Sequence, residues 1–137
     1  MSYLLDTCVL SETVRPRPDE GVIRWLSDLP DDALHISVLC IGELRKGIEA
    51  MAEGSRRERL RFWLEHDLPQ WFGDRVLPID EAVAERWGLL QAQAGRTLPA
   101  IDSLLAATAL HHGLRLVTRN VRDFRMDGLE VVNPWQM

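Results

Sequence analysis

The sequence predicts an α/β fold: a small, mostly parallel sheet wrapped by helices. Two observations carry this. Short apolar runs alternate along the chain with longer segments whose apolar residues recur at helical spacing, the pattern of strands joined by helical crossovers. The 137 residues, 46% hydrophobic and 27% charged, also hold enough apolar material for one sizeable core and too little for two. Residues 1–137 are therefore expected to form a single domain.

The strands come first. "SYLL" at the start of the chain is the first, "LHIS" (residues 34–37) the second, "RVLPI" (75–79) the third, "LRLVT" (114–118) the fourth, and "LEVV" (129–132) a last strand at an edge. The helices fill the gaps. "LDTCVLSE" starts a helix at Asp6, a good N-cap. "DEGVIRWLSDL" places Val22, Ile23, Leu26 and Leu29 on one face, and "SVLCIGELRKGIEAM" places Val38, Ile41, Leu44, Ile48 and Met51 on another, with Ser37 as N-cap. Ser55 and Glu58 read as a capping box ahead of "RLRFWLEHDL". Asp80 caps "EAVAERWGLLQAQA", in which Val83, Trp87 and Leu90 repeat, and a final helix from about Asp102 to His112 stops at Gly113.

Composition excludes several classes. No apolar run approaches the ~18 residues of a membrane helix, and the short apolar stretch at the N-terminus has no basic region before it, so a cytoplasmic location is expected. Cys8 and Cys40 make neither a disulfide framework nor a zinc pattern and are expected to be reduced, buried thiols. The net charge of -5 argues against bulk electrostatic attraction to nucleic acid. Lys46 aside, every cation is an arginine, whose planar fork suits phosphate; a GC-rich coding sequence explains that bias equally well.

In open parallel sheets, ligands gather beyond the carboxyl ends of the strands. Asp6 stands at that edge after the first strand, Ser37 and then Glu43 follow the second, and Thr118, Asn120 and Asp123 follow the fourth. Asp102, at the start of the last helix, is not placed by this rule. Taken singly, Asp6 and Asp102 are helix caps, Asp123 closes an Asx-turn, and Asn120 is a turn residue tolerant of the left-handed region. Glu43 points away from the Val38/Ile41/Ile48 stripe and reads as a surface acid unless the small Gly42 and Gly47 let the back of that helix border the crevice. As a set they pose a charge problem, because two bare carboxylates 4 Å apart repel by about 4 kcal/mol at an effective dielectric of 20. A divalent cation resolves it, and oxygen ligands select Mg²⁺ or Mn²⁺.

The ordered segments "LLDTCVLSE", "ISVLCIGELRKGI" and "IDSLLAATALHHGLRLVTRNVRDF" resemble the motifs of PIN-domain ribonucleases, most closely the VapC-type toxins of bacterial toxin-antitoxin pairs, from Tyr3 to Phe124. The resemblance implies a PIN-like three-layer α/β/α fold, with Mg²⁺ or Mn²⁺ held by the catalytic carboxylates Asp6, Glu43, Asp102 and Asp123. Thr7, Thr118 and Asn120 would support those carboxylates or bound water. It implies endonucleolytic cleavage of single-stranded or structured RNA, tRNA or rRNA, to leave a 5′-phosphate. It further implies a cognate antitoxin whose tail occupies the active-site groove, and a homodimer or a toxin-antitoxin hetero-oligomer. Cys8 stands where many relatives carry Asn or Ser.

Other readings stay open at this level. Arg56, Arg57, Arg59 and Arg61 either track an RNA backbone or form a solvated helical face. Trp25, Trp63 and Trp87 fit packing, Trp71 and Trp135 fit exposed anchors for a partner, and His111 and His112 complement a helix dipole. A PIN module that binds without cutting would fold alike. An aspartate-dependent phosphohydrolase would share Asp6, but it wants a late Lys, and in the dehalogenase type an Asp at position 8. A histidine-based ribonuclease finds no constellation among His35, His66, His111 and His112.

Overall fold

The computed structural model describes residues 1–137. Five strands, β1 (Tyr3–Leu5), β2 (Leu34–Ser37), β3 (Val76–Leu77), β4 (Arg115–Val117) and β5 (Val131–Val132), form one sheet in the order β3-β2-β1-β4-β5. Every pairing is parallel, more uniform than the mostly parallel sheet expected. Helices α1 (Thr7–Thr13), α2 (Glu20–Ser27), α3 (Val38–Glu49), α4 (Ser55–Phe62), α5 (Leu68–Phe72), α6 (Glu81–Ala94) and α7 (Ala100–His112) wrap the sheet as a three-layer α/β/α fold. The sheet is covered on both faces, so its strands are apolar runs: Leu4, Leu5, Ile36, Leu116 and Val117 are fully buried and join one cluster with Leu10, Phe72, Leu105 and Phe124. No helix is long and apolar enough to cross a membrane.

Most caps follow the expected chemistry. The side chains of Asp6, Ser37 and Asp80 accept from the backbone N–H of Thr7, Leu39 and Val83, and α7 ends at Gly113 with φ 66°, a left-handed turn that glycine adopts without steric cost.

Several expectations are corrected. Ser55 is the first residue of α4 and not its cap; Gly54 holds the cap position, no side chain caps it, and Glu58 turns instead to Arg61. The chain beyond α4 widens into a π-helical turn, Trp63–Asp67, where the Leu68 N–H reaches the Trp63 carbonyl. Pro69 explains the widening, since its ring has no N–H to give and crowds the carbonyl four residues back. Asp102 is not a cap: α7 begins two residues earlier, behind Pro99, which leaves the Asp102 carboxylate in the first turn. Trp71 and Trp135 are half-buried and not exposed anchors. The Trp71 indole donates to Asp31, and the Trp135 ring carries the Arg119 guanidinium 5.4 Å from its centroid.

The buried stripe of α3 is the correction that matters for the site. Cys40, Leu44 and Ile48 face the core, while Val38 is 41% exposed and Ile41 only half-buried. Glu43 then lies about 60° round the helix from Cys40, beside the core face and not opposite it. Close approach through glycine is not the reason, because a Cβ built on Gly42 or Gly47 would meet nothing within 4 Å.

Candidate metal centre

The carboxyl edge of the sheet assembles the site. Parallel registry of β1 with β2 and β4 brings the residues after each strand to one rim, and the Asp6 N–H donates to the Val117 carbonyl at 2.9 Å. Asp6 is 7% exposed and both its oxygens are engaged: Oδ1 accepts from the Thr7 N–H at 2.8 Å, and Oδ2 from the Thr118 hydroxyl at 2.8 Å and weakly from the Cys8 thiol at 3.8 Å. Thr118 is fully buried and also accepts the Asn120 N–H at 3.0 Å. Three donors thus hold the Asp6 carboxylate in one orientation.

Glu43 is exposed, and its Oε1 accepts the Thr7 hydroxyl at 2.6 Å. Ligand atoms of Asp6, Glu43 and Cys40 lie within 4.8 Å of one another. Asp102 and Asp123 do not belong to that tight group. Both are nonetheless close enough to act on it electrostatically: partial burial is the first cause that raises the Asp102 carboxyl above its ordinary range, followed by the like charges of Asp6, Asp123 and Glu43. Asp123 is exposed in a short 3-10 turn, Val121–Phe124, and Asn120 before it has φ -94°, not the left-handed conformation.

No lysine, arginine or histidine forms an ion pair with any of these four acids. A gathered set of carboxylates with no cationic partner fits a divalent cation, and its oxygen donors suit Mg²⁺ or Mn²⁺. Cys40, expected from the sequence as a reduced, buried thiol, is that and does not fit as a ligand. Its buried Sγ donates to the Leu5 carbonyl at 3.6 Å, and burial pushes the thiol up to about 12, so it packs behind the carboxylates as an uncharged group. Cys8, only partly buried, is raised as well, by desolvation and then by Asp6. Both cysteines are free thiols.

Beside Thr7 and Glu43 a groove of about 230 Å³ opens over Leu44, Ile48, Leu60 and Trp63, with Arg15 and Arg56 on its walls. The arginines of α4 divide. Arg57 and Arg61 are committed to Glu49, whereas Arg56 and Arg59 line this groove and its continuation.

Known proteins share the architecture. The PIN domain family model matches residues 3–129. The chain is 36% identical over 135 residues to Toxin FitB of Neisseria gonorrhoeae, covering 96% of this chain and 97% of that protein. It is 35% identical over 136 residues to VapC ribonuclease Y4jK of Sinorhizobium fredii, covering 97% of each. The solved structure of FitAB bound to an IR36 DNA fragment superposes with a TM-score of 0.89 at 33% identity, over 98% of this chain and 96% of that one. A parallel five-stranded sheet with Asp6, Glu43, Asp102 and Asp123 disposed around its carboxyl edge, matched along nearly its whole length, identifies the chain as a member of the PIN-domain family, of the FitB and VapC type.

Proposed function

We propose that the protein is a Mg²⁺- or Mn²⁺-dependent endoribonuclease that cleaves tRNA or rRNA and acts as the toxin of a toxin-antitoxin pair, with residues 1–137 as one catalytic unit in the cytoplasm. The observation that carries this is the cation-free cluster of acids around a fixed Asp6. Asp6 and Asp102, with Glu43 and Asp123, would hold the ion, which when bound polarises a phosphoryl oxygen and lowers the pKa of an attacking water. The chain's own work is to orient. Thr118 and the Thr7 N–H fix Asp6, and the Thr7 hydroxyl fixes Glu43, so neither ligand swings when substrate arrives. Asn120, whose backbone N–H is tethered to Thr118, would support bound water through its amide. Arg56 and Arg59, free of acidic partners, supply phosphate contacts that the net charge of -5 does not.

The similar FitB-type chain lies in an assembly, FitAB, on DNA. This supports an antitoxin partner and a hetero-oligomer, with the antitoxin tail in the groove beside Glu43. A PIN module that only binds is disfavoured, because a binding surface has no use for four unpaired acids at one rim. The test is cleavage of a total tRNA and rRNA pool by native chain and by Asp6→Asn, with Mg²⁺ or Mn²⁺ and with EDTA. Discrete products with 5′-phosphates, lost with EDTA and with the substitution, are expected. Products that survive both would overturn the metal mechanism.

A further inference from the structure

The first turn of α7 carries Asp102, which stands inside the helix directly before the buried Ser103. No side chain caps that turn. It is held from behind. Gln91 of α6 makes a two-way clasp with the backbone of Leu98, its Nε2 donating to the Leu98 carbonyl at 3.1 Å and its Oε1 accepting the Leu98 N–H at 2.9 Å. The same Nε2 lies 3.2 Å from Ser103 Oγ, which also accepts the Trp87 indole N–H at 2.9 Å. Ser103 is fully buried and follows Asp102 directly. Its hydroxyl lies 2.6 Å from the Pro99 carbonyl and 3.0 Å from that of Ala100, so it returns its proton to the start of the helix. Leu98, 3% exposed, plugs the clasp into the core.

These bonds form one connected network in which the Gln91 amide uses both donors and its acceptor, and the polar groups it ties are otherwise costly to bury. They all converge on residues 98–103, the segment that sets where Asp102 stands.

We propose that Gln91 and Trp87 are positioning residues that clamp the first turn of α7 and thereby hold the Asp102 carboxylate in the acid cluster. The inference rests on the metal-centre reading above. Neither side chain belongs to the cluster; each acts through Ser103 or Leu98. Loss of the clamp releases the turn, and the ligand set is then no longer preorganised when the ion arrives.

The experiment is direct Mn²⁺ titration followed by electron paramagnetic resonance of the free ion, without RNA. Four proteins are compared: native chain, Gln91→Leu, Trp87→Phe, and Val22→Ala. Val22 is buried on α2, outside the clamp, so its truncation destabilises without touching α7. The Mn²⁺ dissociation constant is expected to rise about tenfold in Gln91→Leu and severalfold in Trp87→Phe, and to stay at the native value in Val22→Ala although that protein melts earlier. Unchanged affinity in Gln91→Leu, or an equal loss in Val22→Ala, overturns the proposal. Should Gln91→Leu fail to fold, Trp87→Phe, which removes the indole N–H together with part of the ring, decides by the same criterion, with Val22→Ala as the control for lost packing. Failure of the native chain to bind Mn²⁺ would overturn the metal-centre reading itself, and the clamp with it.

Discussion

Glu43→Gln is expected to stabilise the metal-free protein, and this inversion of the usual effect of a site mutation follows from the geometry. The Asp6 and Glu43 oxygens lie within 4.8 Å, a separation at which Coulomb's law gives a repulsion of about 0.9 kcal/mol in water and about 3.5 kcal/mol at an effective dielectric of 20. Glu43 is exposed while Asp6 is buried, so the value belongs in the lower part of that range, about 1–2 kcal/mol. Glutamine keeps an acceptor for the Thr7 hydroxyl but loses the charge assistance of the 2.6 Å bond, which returns roughly 0.5 kcal/mol. The net gain is about 0.5–1.5 kcal/mol.

Urea unfolding in EDTA reads this as a higher midpoint at unchanged slope. In 1 M NaCl, where the screening length falls to about 3 Å, the gain should shrink. With Mg²⁺ at a hundred times its dissociation constant the native chain gains about 2.7 kcal/mol and the variant less, so the order of stabilities reverses. A variant less stable than the native chain in EDTA, or a native midpoint indifferent to Mg²⁺ and Mn²⁺, would refute the reasoning.

Three further outcomes are expected. Thr118→Val removes the buried donor to Asp6 and the acceptor for the Asn120 N–H without changing shape, so it should cost about 2–3 kcal/mol in urea unfolding; a cost below ~1 kcal/mol would mean water replaces the hydroxyl. The Asp102 carboxyl is raised in the fold, so it binds its proton more tightly folded than unfolded. Its penalty is therefore present above the raised value and relieved as pH falls through that value toward 3.8. Comparing the pH dependence of metal-free stability in native chain and Asp102→Asn should show this relief only in the native protein. Glu49, held down to about 2 chiefly by Arg61 and further by Arg57 and Arg45, has the opposite sign: its contribution is present above 4.5 and lost as pH falls toward 2. Because that cluster is exposed, Glu49→Gln should lower the melting temperature at low salt and have little effect in 1 M NaCl.

Much of this molecule is legible in one dimension. Strand β2 has the limits its sequence predicts, and Asp6, Ser37 and Asp80 cap the helices expected of them, because short-range hydrogen bonding and apolar periodicity act over a few residues and leave their mark in sequence order. Boundaries and faces were less legible. The spacing of α3 points to a stripe through Val38 and Ile41, since a helix that is apolar on more than one side offers two stripes, and only the position of the sheet selects Cys40, Leu44 and Ile48. Pro69 is visible in the sequence, but the π-turn that precedes it, Trp63–Asp67, is seen only in the fold.

The strands, the main helices, their order and the kinds of group at the rim are legible in the sequence, because hydrophobic patterning and cap chemistry are local. Tertiary structure alone decided that Glu43 stands beside Asp6, that Asp102 sits inside its helix and not at its cap, and that Cys40 lies behind the carboxylates as an uncharged thiol. Gln91 and Ser103, twelve residues apart, meet only because α6 packs along α7. The physical reason is that charge repulsion, burial and convergent hydrogen bonds depend on distance in space, and parallel strand order brings together residues as far apart as Asp6 and Thr118, separated by 112 positions.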